Sequence, residues 1–256
     1  MAAANLTGNG LRGCKDRISA GLAAAQTASI DQRTRDQRAQ DPTVLTLYDY
    51  LPSRNAWKVR QLLLQLGRPW QTRTVSIFEG DGRQPDYLAI SPTGTVPAIE
   101  LDDGRSLAES NAILMYLADG SQFLPQDAYG RARVWQWLSF EQERIESQIG
   151  ALRHWTLTGK LPRRPEALVS MKRAAGANAL AILDRELTRR DFIASESYGI
   201  ADIAVFAYAG VAAEAGFDLA ALPHLLAWID RVRAQPGHLA DVHPYAMDPH
   251  SVNELG

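Results

Sequence analysis

Residues 92–100 read Pro-Thr-Gly-Thr-Val-Pro-Ala-Ile-Glu, the segment that is most informative about the fold. Pro97 opens a short apolar run, although proline cannot donate to the hydrogen-bond ladder of a central strand. Cis peptide bonds occur almost only before proline. The pattern therefore predicts a cis Val96–Pro97 bond at the start of a strand. The backbone N–H and C=O of Val96 would then face outward, where an extended peptide ligand can pair with them.

A second motif, Leu-Ala-Glu-Ser-Asn-Ala-Ile-Leu-Met-Tyr-Leu, occupies residues 107–117. Its apolar residues have helical spacing, so Ser110 is predicted to be the N-cap of a helix. The free N–H groups at such a helix end attract a carboxylate. The motif therefore predicts that a ligand's carboxylate binds at Ser110, with Glu109 beside it.

The pattern upstream of these motifs predicts a small mixed sheet. Residues 44–48 are β-prone, and a helix with apolar residues at Val59, Leu62, Leu63 and Leu66 follows them. A strand at 72–77 would complete a βαβ unit with a parallel pair. Asp103-Gly104 then marks a hairpin. The order βαβ-ββα over residues 44–118 is the thioredoxin-like arrangement.

Beyond residue 129 the pattern is helical throughout. Val134, Trp137, Leu138 and Ile145 follow helical spacing, and no alternating run appears. The predicted fold class is α/β followed by α: a thioredoxin-like domain at 44–118, a linker at 119–128 and an all-helical domain at 129–240. Residues 241–256 are predicted to be a polar tail, and residues 1–43 a disordered extension.

Four motifs follow one another in the order found in cytosolic glutathione transferases, and from Val44 onward the sequence resembles that family. They are residues 47–55 (Leu-Tyr-Asp-Tyr-Leu-Pro-Ser-Arg-Asn), 95–97 (Thr-Val-Pro), 109–110 (Glu-Ser) and 198–203 (Tyr-Gly-Ile-Ala-Asp-Ile). The resemblance implies glutathione as cosubstrate, with no metal. It assigns glutathione binding to Val96, Pro97, Glu109 and Ser110, and it implies a homodimer.

The family resemblance also places the chemistry at residue 53. A cysteine-type thiol has a pKa of about 8.5. A hydroxyl that donates to the thiolate, together with the N-terminus of the next helix, lowers that pKa. Ser53 is the first candidate, and Asn55 is the second because some family members carry Ser-x-Asn here. Tyr48 and Tyr50 are weaker alternatives, and the structural alternative for Ser53 is a helix N-cap.

The second domain offers fewer signals. Arg153 and Trp155 are predicted to border the pocket for the electrophile, although core packing is the alternative for Trp155. Glu141, Glu143 and Glu146 are interpreted as a solvated or subunit-contact face. Gly199 stands where the family usually has a Ser or Thr cap, and this difference is expected to cost only a few tenths of a kcal/mol.

Composition limits the function classes. The net charge is −2, which argues against nucleic acid as a partner. No run approaches the roughly 20 apolar residues of a membrane span. The single cysteine is Cys14, which excludes an internal disulfide and indicates a reducing compartment such as the cytoplasm.

The predicted function is a glutathione transferase that ionises the glutathione thiol for attack on a hydrophobic electrophile, a peroxide or a disulfide, as in detoxification. Because no cysteine lies near residue 53, the protein itself cannot form a mixed disulfide there. The alternatives are a non-catalytic binding or assembly module of the same fold, and a glutathione-dependent dehalogenase or isomerase.

Overall fold

The computed structural model describes residues 44–254, and all structural statements below concern this part of the chain. A four-stranded sheet with flanking helices forms its first half, and its second half is helical, so the predicted fold class is confirmed. Residues 1–43, predicted to be a disordered extension, lie outside the described residues, as do residues 255–256.

The sheet has the strand order β2-β1-β3-β4. Its strands are β1 (Leu45–Asp49), β2 (Trp70–Thr74), β3 (Ala98–Glu100) and β4 (Ser106–Ala108). β1 is parallel to β2 and antiparallel to β3, and β3 is antiparallel to β4. β2 starts two residues earlier than predicted, and only one further ladder bond, from Val75 N–H to Asp49 C=O, follows its end.

Three helices belong to the first half: α1 (Arg54–Gln65), α2 (Pro85–Leu88) and α3 (Ser110–Leu117). Gly67, at φ 61°, follows the end of α1, a position where glycine commonly terminates a helix. The prediction that Ser110 caps α3 is wrong by one residue. Glu109 is the cap, because its C=O accepts the first helical hydrogen bond, from Ile113 N–H at 2.9 Å.

The second half begins with one continuous helix in three parts: α4 (Ala128–Phe140), a π-helical stretch (Glu141–Gly150) and α5 (Ala151–Leu157). α6 (Glu166–Glu186), α7 (Ile200–Ala209) and α8 (Pro223–Arg233) follow. Every residue of α7 is buried, as expected of a helix that is apolar all round. α7 packs against both α1 and α4, so the two halves share one core.

The start of α7 corrects one expectation. Asp202 Oδ2 accepts the Gly199 N–H at 3.0 Å, which keeps its half of the cap. A Cβ on Gly199, however, would lie 2.7 Å from the carbonyl oxygen of Phe123. That backbone contact leaves no room for a serine side chain. The expected cost of a few tenths of a kcal/mol compares Gly199 with a serine cap, and a serine does not fit at this position.

Residues 241–254 fold back onto the body of the protein. They form two short 3₁₀ turns, Tyr245–Met247 and Pro249–Val252. Tyr50 Oη donates to Asp248 Oδ2 at 2.8 Å, and Arg164 pairs with Glu254 at 2.5 Å. The segment predicted to be a polar tail therefore contacts both halves of the molecule.

Candidate functional site

Two adjoining cavities lie between the sheet domain and the helical half. The larger, with a volume of about 550 Å³, is called the wide cavity. The smaller, of about 230 Å³, is called the narrow cavity. Asn55, Val96 and Glu146 line both cavities, so a single elongated ligand can extend through the two.

Ser53 is half-buried and lines the wide cavity. Its Oγ accepts the Ala56 N–H at 3.2 Å, so Ser53 is the N-cap of α1. A hydroxyl can accept and donate at the same time. Within residues 44–254 the Ser53 hydroxyl hydrogen has no acceptor. The cap therefore leaves that hydrogen available to a group in the cavity.

Asn55 is held at both ends of its amide. Its Nδ2 donates to Glu146 Oε1 at 2.5 Å, and its Oδ1 accepts from Ser110 Oγ at 3.5 Å. Because an amide nitrogen carries two hydrogens, one remains for a ligand. The sequence pattern places Glu146 on a solvated or subunit-contact face, but it lies in the site itself.

Glu141 belongs to the same predicted solvated or subunit-contact face, but its side chain is fully buried. Its Oε1 lies 2.9 Å from Lys58 Nζ, whose side chain is equally buried, and its Oε2 accepts from Asn111 Nδ2 at 2.9 Å. Burial raises the pKa of Glu141, and the Lys58 charge opposes that rise. Lys58 Nζ also donates to Ser110 Oγ at 3.3 Å. This buried pair thus joins α1, α3 and the π-helical stretch.

Val96 and Pro97 join through a cis bond, as the sequence predicts. Among the described residues the N–H and C=O of Val96 have no hydrogen-bond partner. Both residues line the narrow cavity together with Glu109 and Ser110. The structure therefore brings these four predicted binding residues to one place.

Glu109 has an unusual backbone conformation. Its φ of 68° is the only positive φ at a non-glycine residue within the described range. Such a conformation costs about 1–3 kcal/mol and concentrates at functional sites. The conformation points to a functional constraint at Glu109, which sequence patterns alone do not reveal.

Arg153 lies elsewhere than expected. It is buried, does not line the wide cavity, and pairs with Glu214 at 2.7 Å. Its charge is therefore already matched within the fold. Trp155 does line the wide cavity, beside the guanidinium of Arg164, which lies 5.2 Å from the ring centroid.

The two tyrosine alternatives separate in the structure. Tyr48 Oη donates to Glu100 at 2.7 Å, and its ring lines a different surface cavity. Tyr50 lines the wide cavity, but its Oη donates to Asp248. Burial and this carboxylate raise the pKa of Tyr50 further above its ordinary value. Tyr50 therefore stays a protonated phenol.

No sequence pattern assigns Phe78 or Tyr245 to this site. His154 and Tyr245 line the wide cavity, and with Tyr50 and Phe78 they form what we call the aromatic cluster. The ring centroids of its members lie 5.2–6.5 Å apart: Tyr50–Phe78 5.9 Å, Tyr50–Tyr245 6.3 Å, Phe78–His154 5.9 Å, Phe78–Tyr245 6.5 Å and His154–Tyr245 5.2 Å. Four distant segments supply these rings, so no local motif could have identified them.

Between residues 44 and 254, no three His, Cys, Asp or Glu side chains are grouped so that they could hold a metal ion. No helix within that range has the length and apolar character needed to span a membrane.

Comparison with known proteins agrees with this geometry. The model of the glutathione S-transferase N-terminal domain matches residues 52–119, and that of the C-terminal domain matches residues 147–236. Human glutathione S-transferase theta-2B is 31% identical over 176 residues, which cover 66% of this chain and 72% of that protein. The chain belongs to the glutathione S-transferase family.

Other relatives extend the comparison. The disulfide-bond oxidoreductase YfcG of Escherichia coli is 28% identical, over 75% of this chain and 92% of its own length. A glutathione S-transferase structure from Pseudomonas fluorescens is 40% identical, with a TM-score of 0.74, covering 77% of this chain and 98% of that one. Another structure from that species, 30% identical with a TM-score of 0.66 and covering 80% and 94%, holds two glutathione molecules.

Family membership confirms that the protein is an enzyme with a glutathione-dependent transferase or oxidoreductase function. The Ser-x-Asn assignment and the individual residue roles remain predictions.

Proposed function

We propose that the protein binds glutathione across the two cavities and activates its thiol for attack on a hydrophobic electrophile in the wide cavity. The observation that carries the proposal is the joining of the cavities at Asn55 and Val96. Ser53 lies on the wide side and Glu109 and Ser110 on the narrow side, so one tripeptide can reach all of them.

In this arrangement the γ-glutamyl end of glutathione occupies the narrow cavity. The buried N-terminus of α3 and the Ser110 hydroxyl receive its carboxylate, and Glu109 receives its ammonium group. Val96 pairs with the peptide backbone through its free N–H and C=O. Within residues 44–254 the N–H and C=O of Val96 are unpaired and the Glu109 side chain is exposed, whereas the buried Ser110 hydroxyl would exchange its 3.5 Å hydrogen bond to Asn55 for one to the carboxylate.

The sulfur then lies at the start of α1. The Ser53 hydroxyl donates its remaining hydrogen to the thiolate, and the second Nδ2 hydrogen of Asn55 supports the same charge. The partial positive charge of the helix end adds to both. The thiol pKa falls below its ordinary value of about 8.5, so the nucleophile forms near neutral pH.

The test is the ultraviolet absorbance of the thiolate of glutathione bound to the full chain, followed across pH. We expect a depressed thiol pKa that rises by about one unit in Ser53→Ala, which corresponds to about 1.4 kcal/mol. Ser53→Thr keeps the hydroxyl and should keep the low pKa. If the low pKa persists in Ser53→Ala and is lost in Asn55→Ala, Asn55 is the activating residue.

Absence of glutathione binding at any pH would contradict the proposal and favour a non-catalytic module. A dehalogenase or an isomerase would also bind glutathione. An isomerase would regenerate glutathione unchanged, whereas a dehalogenase would release halide, so product analysis distinguishes these reactions.

Disulfide reduction is a second candidate reaction, favoured by the similarity to YfcG, which is named a disulfide-bond oxidoreductase. The described residues contain no cysteine. Both reducing equivalents would therefore come from two glutathione molecules. The first thiolate attacks the disulfide and releases one substrate thiolate, and the second attacks the mixed disulfide to give glutathione disulfide and the other substrate thiolate.

We also retain, as proposals, the domain division at 44–118, 119–128 and 129–240, a homodimeric assembly and a cytoplasmic location. The first two follow from the family resemblance and the helix boundaries. Light scattering of the purified chain tests the dimer directly, since a monomer at micromolar concentration would contradict it.

A further inference from the structure

His154 projects from α5 into the wide cavity, which Ser53 also lines. Its imidazole is nearly parallel to the Phe78 ring, with an angle of 8° and a centroid distance of 5.9 Å. The Tyr245 ring meets it edge-on at 5.2 Å. Packing on two sides therefore fixes the orientation of a polar ring inside the cavity.

The Lys160 side chain determines which imidazole nitrogen carries hydrogen. Lys160 is fully buried, and its Nζ lies 3.4 Å from His154 Nε2 and 4.6 Å from the Phe78 centroid. No carboxylate lies within 4.0 Å of that ammonium among the described residues. Burial lowers the pKa of Lys160, and the Glu254 charge opposes that fall. As an ammonium group, Lys160 can only donate, so Nε2 accepts and the neutral ring carries its hydrogen on Nδ1.

The charged groups around the ring keep it neutral. Burial and the Lys160 charge lower the pKa of His154 to about 4, with Arg164 and Arg153 acting in the same direction and Glu254 opposing them. The ring is therefore uncharged at neutral pH. Within residues 44–254 its Nδ1 has no hydrogen-bond partner, so the Nδ1–H is available to a substrate.

We propose that His154 is a catalytic residue whose Nδ1–H donates a hydrogen bond to an oxygen of the electrophile as negative charge develops there. The inference rests on the proposed function, because it requires glutathione thiolate in the same cavity. The substrates that benefit are α,β-unsaturated carbonyl compounds. A neutral imidazole is a weak acid, so it stabilises an oxyanion by hydrogen bonding without giving up its proton.

The step is a conjugate addition. The sulfur electron pair forms the C–S bond at the β-carbon, the C=C π pair shifts toward the α-carbon, and the carbonyl π pair moves onto oxygen. His154 stabilises this enolate oxygen. Water then protonates the α-carbon, which replaces the proton that the thiol lost on activation, so that glutathione and the enone combine with nothing released.

The first test is nitrogen-15 NMR of the histidines in the full chain at pH 7. We expect the His154 resonances to show the neutral Nδ1–H tautomer, with the assignment made from their loss in His154→Asn. In Lys160→Met the ammonium is absent, so a share of the Nε2–H tautomer should appear. A wild-type ring that is an imidazolium or carries hydrogen on Nε2 overturns the inference.

The second test compares two variants of equal size. Asn places an N–H near the position of Nδ1, whereas Leu has none. The measured quantity is the ratio of kcat/KM for an enone to kcat/KM for an alkyl halide, whose reaction develops no charge on oxygen. We expect this ratio to fall about 10²-fold in His154→Leu, which is the lower end of the effect of removing one oxyanion donor. In His154→Asn it should fall much less.

The outcomes separate the two proposals. Suppose that the halide is consumed but the enone-to-halide ratio of kcat/KM is the same in His154→Leu and His154→Asn. The role proposed for His154 is then contradicted, and thiol activation still holds. If the wild-type protein consumes neither electrophile despite binding glutathione, both proposals fail.

Discussion

The narrow cavity is lined largely by two short motifs, whereas the aromatic cluster takes its four rings from four distant segments. Val96, Pro97, Glu109 and Ser110 lie within 15 residues of one another. Tyr50 and Tyr245, by contrast, are 195 positions apart and still have ring centroids 6.3 Å apart. One end of the site is therefore local in sequence, and the other depends on the complete fold.

The two ends also use different chemistry. The narrow cavity presents backbone groups, namely the unpaired N–H and C=O of Val96 and the start of α3. The aromatic cluster presents side chains, which substitution can alter without changing strand pairing or helix starts. A scaffold of this kind can keep one constant ligand while its second pocket varies.

The largest effect is expected at the buried pair that joins α1, α3 and the π-helical stretch. Glu141→Ala leaves the Lys58 ammonium buried without its partner at 2.9 Å. Breaking a buried ion pair by removing one partner costs about 3–5 kcal/mol. We therefore expect the free energy of unfolding, measured with urea, to fall by that amount.

Lys58→Met combined with Glu141→Leu is the matched control. Replacing both charges with apolar groups of similar size is often nearly neutral in stability. The double variant should therefore recover most of the loss. If Glu141→Ala alone costs less than about 1 kcal/mol, this pair does not hold the three elements together.

A somewhat smaller effect concerns Asp202, a buried carboxyl in the helical half that forms no ion pair with any residue between 44 and 254. Burial raises its pKa from 3.8 to about 6, although Ile193, Trp228 and Gly199 donate to it. The folded protein therefore holds this proton more tightly than the unfolded chain does. The resulting stabilisation is complete below pH 3.8 and is lost as pH rises through 6.

At about 1.4 kcal/mol per pKa unit, the contribution of Asp202 is roughly 3 kcal/mol. It is measured as the difference in pH dependence of unfolding between the wild type and Asp202→Asn from pH 4 to 7. Other carboxyls contribute equally to both proteins. Parallel stability curves would show that the three hydrogen bonds, and not burial, determine the pKa.

The Glu141 and Asp202 examples show what the sequence could and could not predict. The hairpin at Asp103-Gly104, the cis bond and the helix cap at Ser53 depend on neighbours within a few residues, and pattern reasoning found them. The burial of Glu141 depends on Lys58, 83 positions away, and its helix carries Glu143, Arg144 and Glu146, a pattern typical of a surface. No local spacing distinguishes a carboxylate that has a distant buried partner from one that faces water.

The same limit applies to Arg153 and to residues 241–254. An arginine at the end of a helix near a cavity has no sequence mark that assigns it to Glu214 and not to a substrate. The C-terminal segment is polar in composition, and only the fold shows that Tyr245 joins the aromatic cluster. Contacts between distant segments therefore explain why Glu141, Arg153 and residues 241–254 lie elsewhere in the structure than the sequence predicts.

Gly199→Ser tests whether the cap of α7 is limited by close packing. A Cβ would lie 2.7 Å from the Phe123 carbonyl oxygen, which is backbone and cannot rotate away. We expect the free energy of unfolding to fall by about 1–3 kcal/mol, as for other overpacked sites. Gly199→Ala separates the causes: equal losses indicate steric conflict, whereas a smaller loss for Ser indicates that its oxygen caps the helix.

Tyr245→Ala has the smallest expected effect and most directly separates the two ends. Tyr245 contacts Tyr50, Phe78 and His154 in the aromatic cluster and is absent from the narrow cavity. Each aromatic pair contributes about 0.5–1.5 kcal/mol. Part of this is lost without the ring, so KM for an aromatic electrophile should rise about 5- to 10-fold.

The pKa of the bound glutathione thiol should remain within about 0.3 units of the wild-type value in Tyr245→Ala, because one pKa unit requires about 1.4 kcal/mol at the sulfur. Among the described residues Tyr245 makes no hydrogen bond to Ser53 or Asn55, the two groups proposed to stabilise that sulfur. Tyr245→Phe keeps the ring and should keep the electrophile KM. A parallel change in the thiol pKa and the electrophile KM would contradict the separation. It would mean that residues 241–254 determine the geometry of both ends, since Asp248 in that segment accepts from Tyr50, three residues before Ser53.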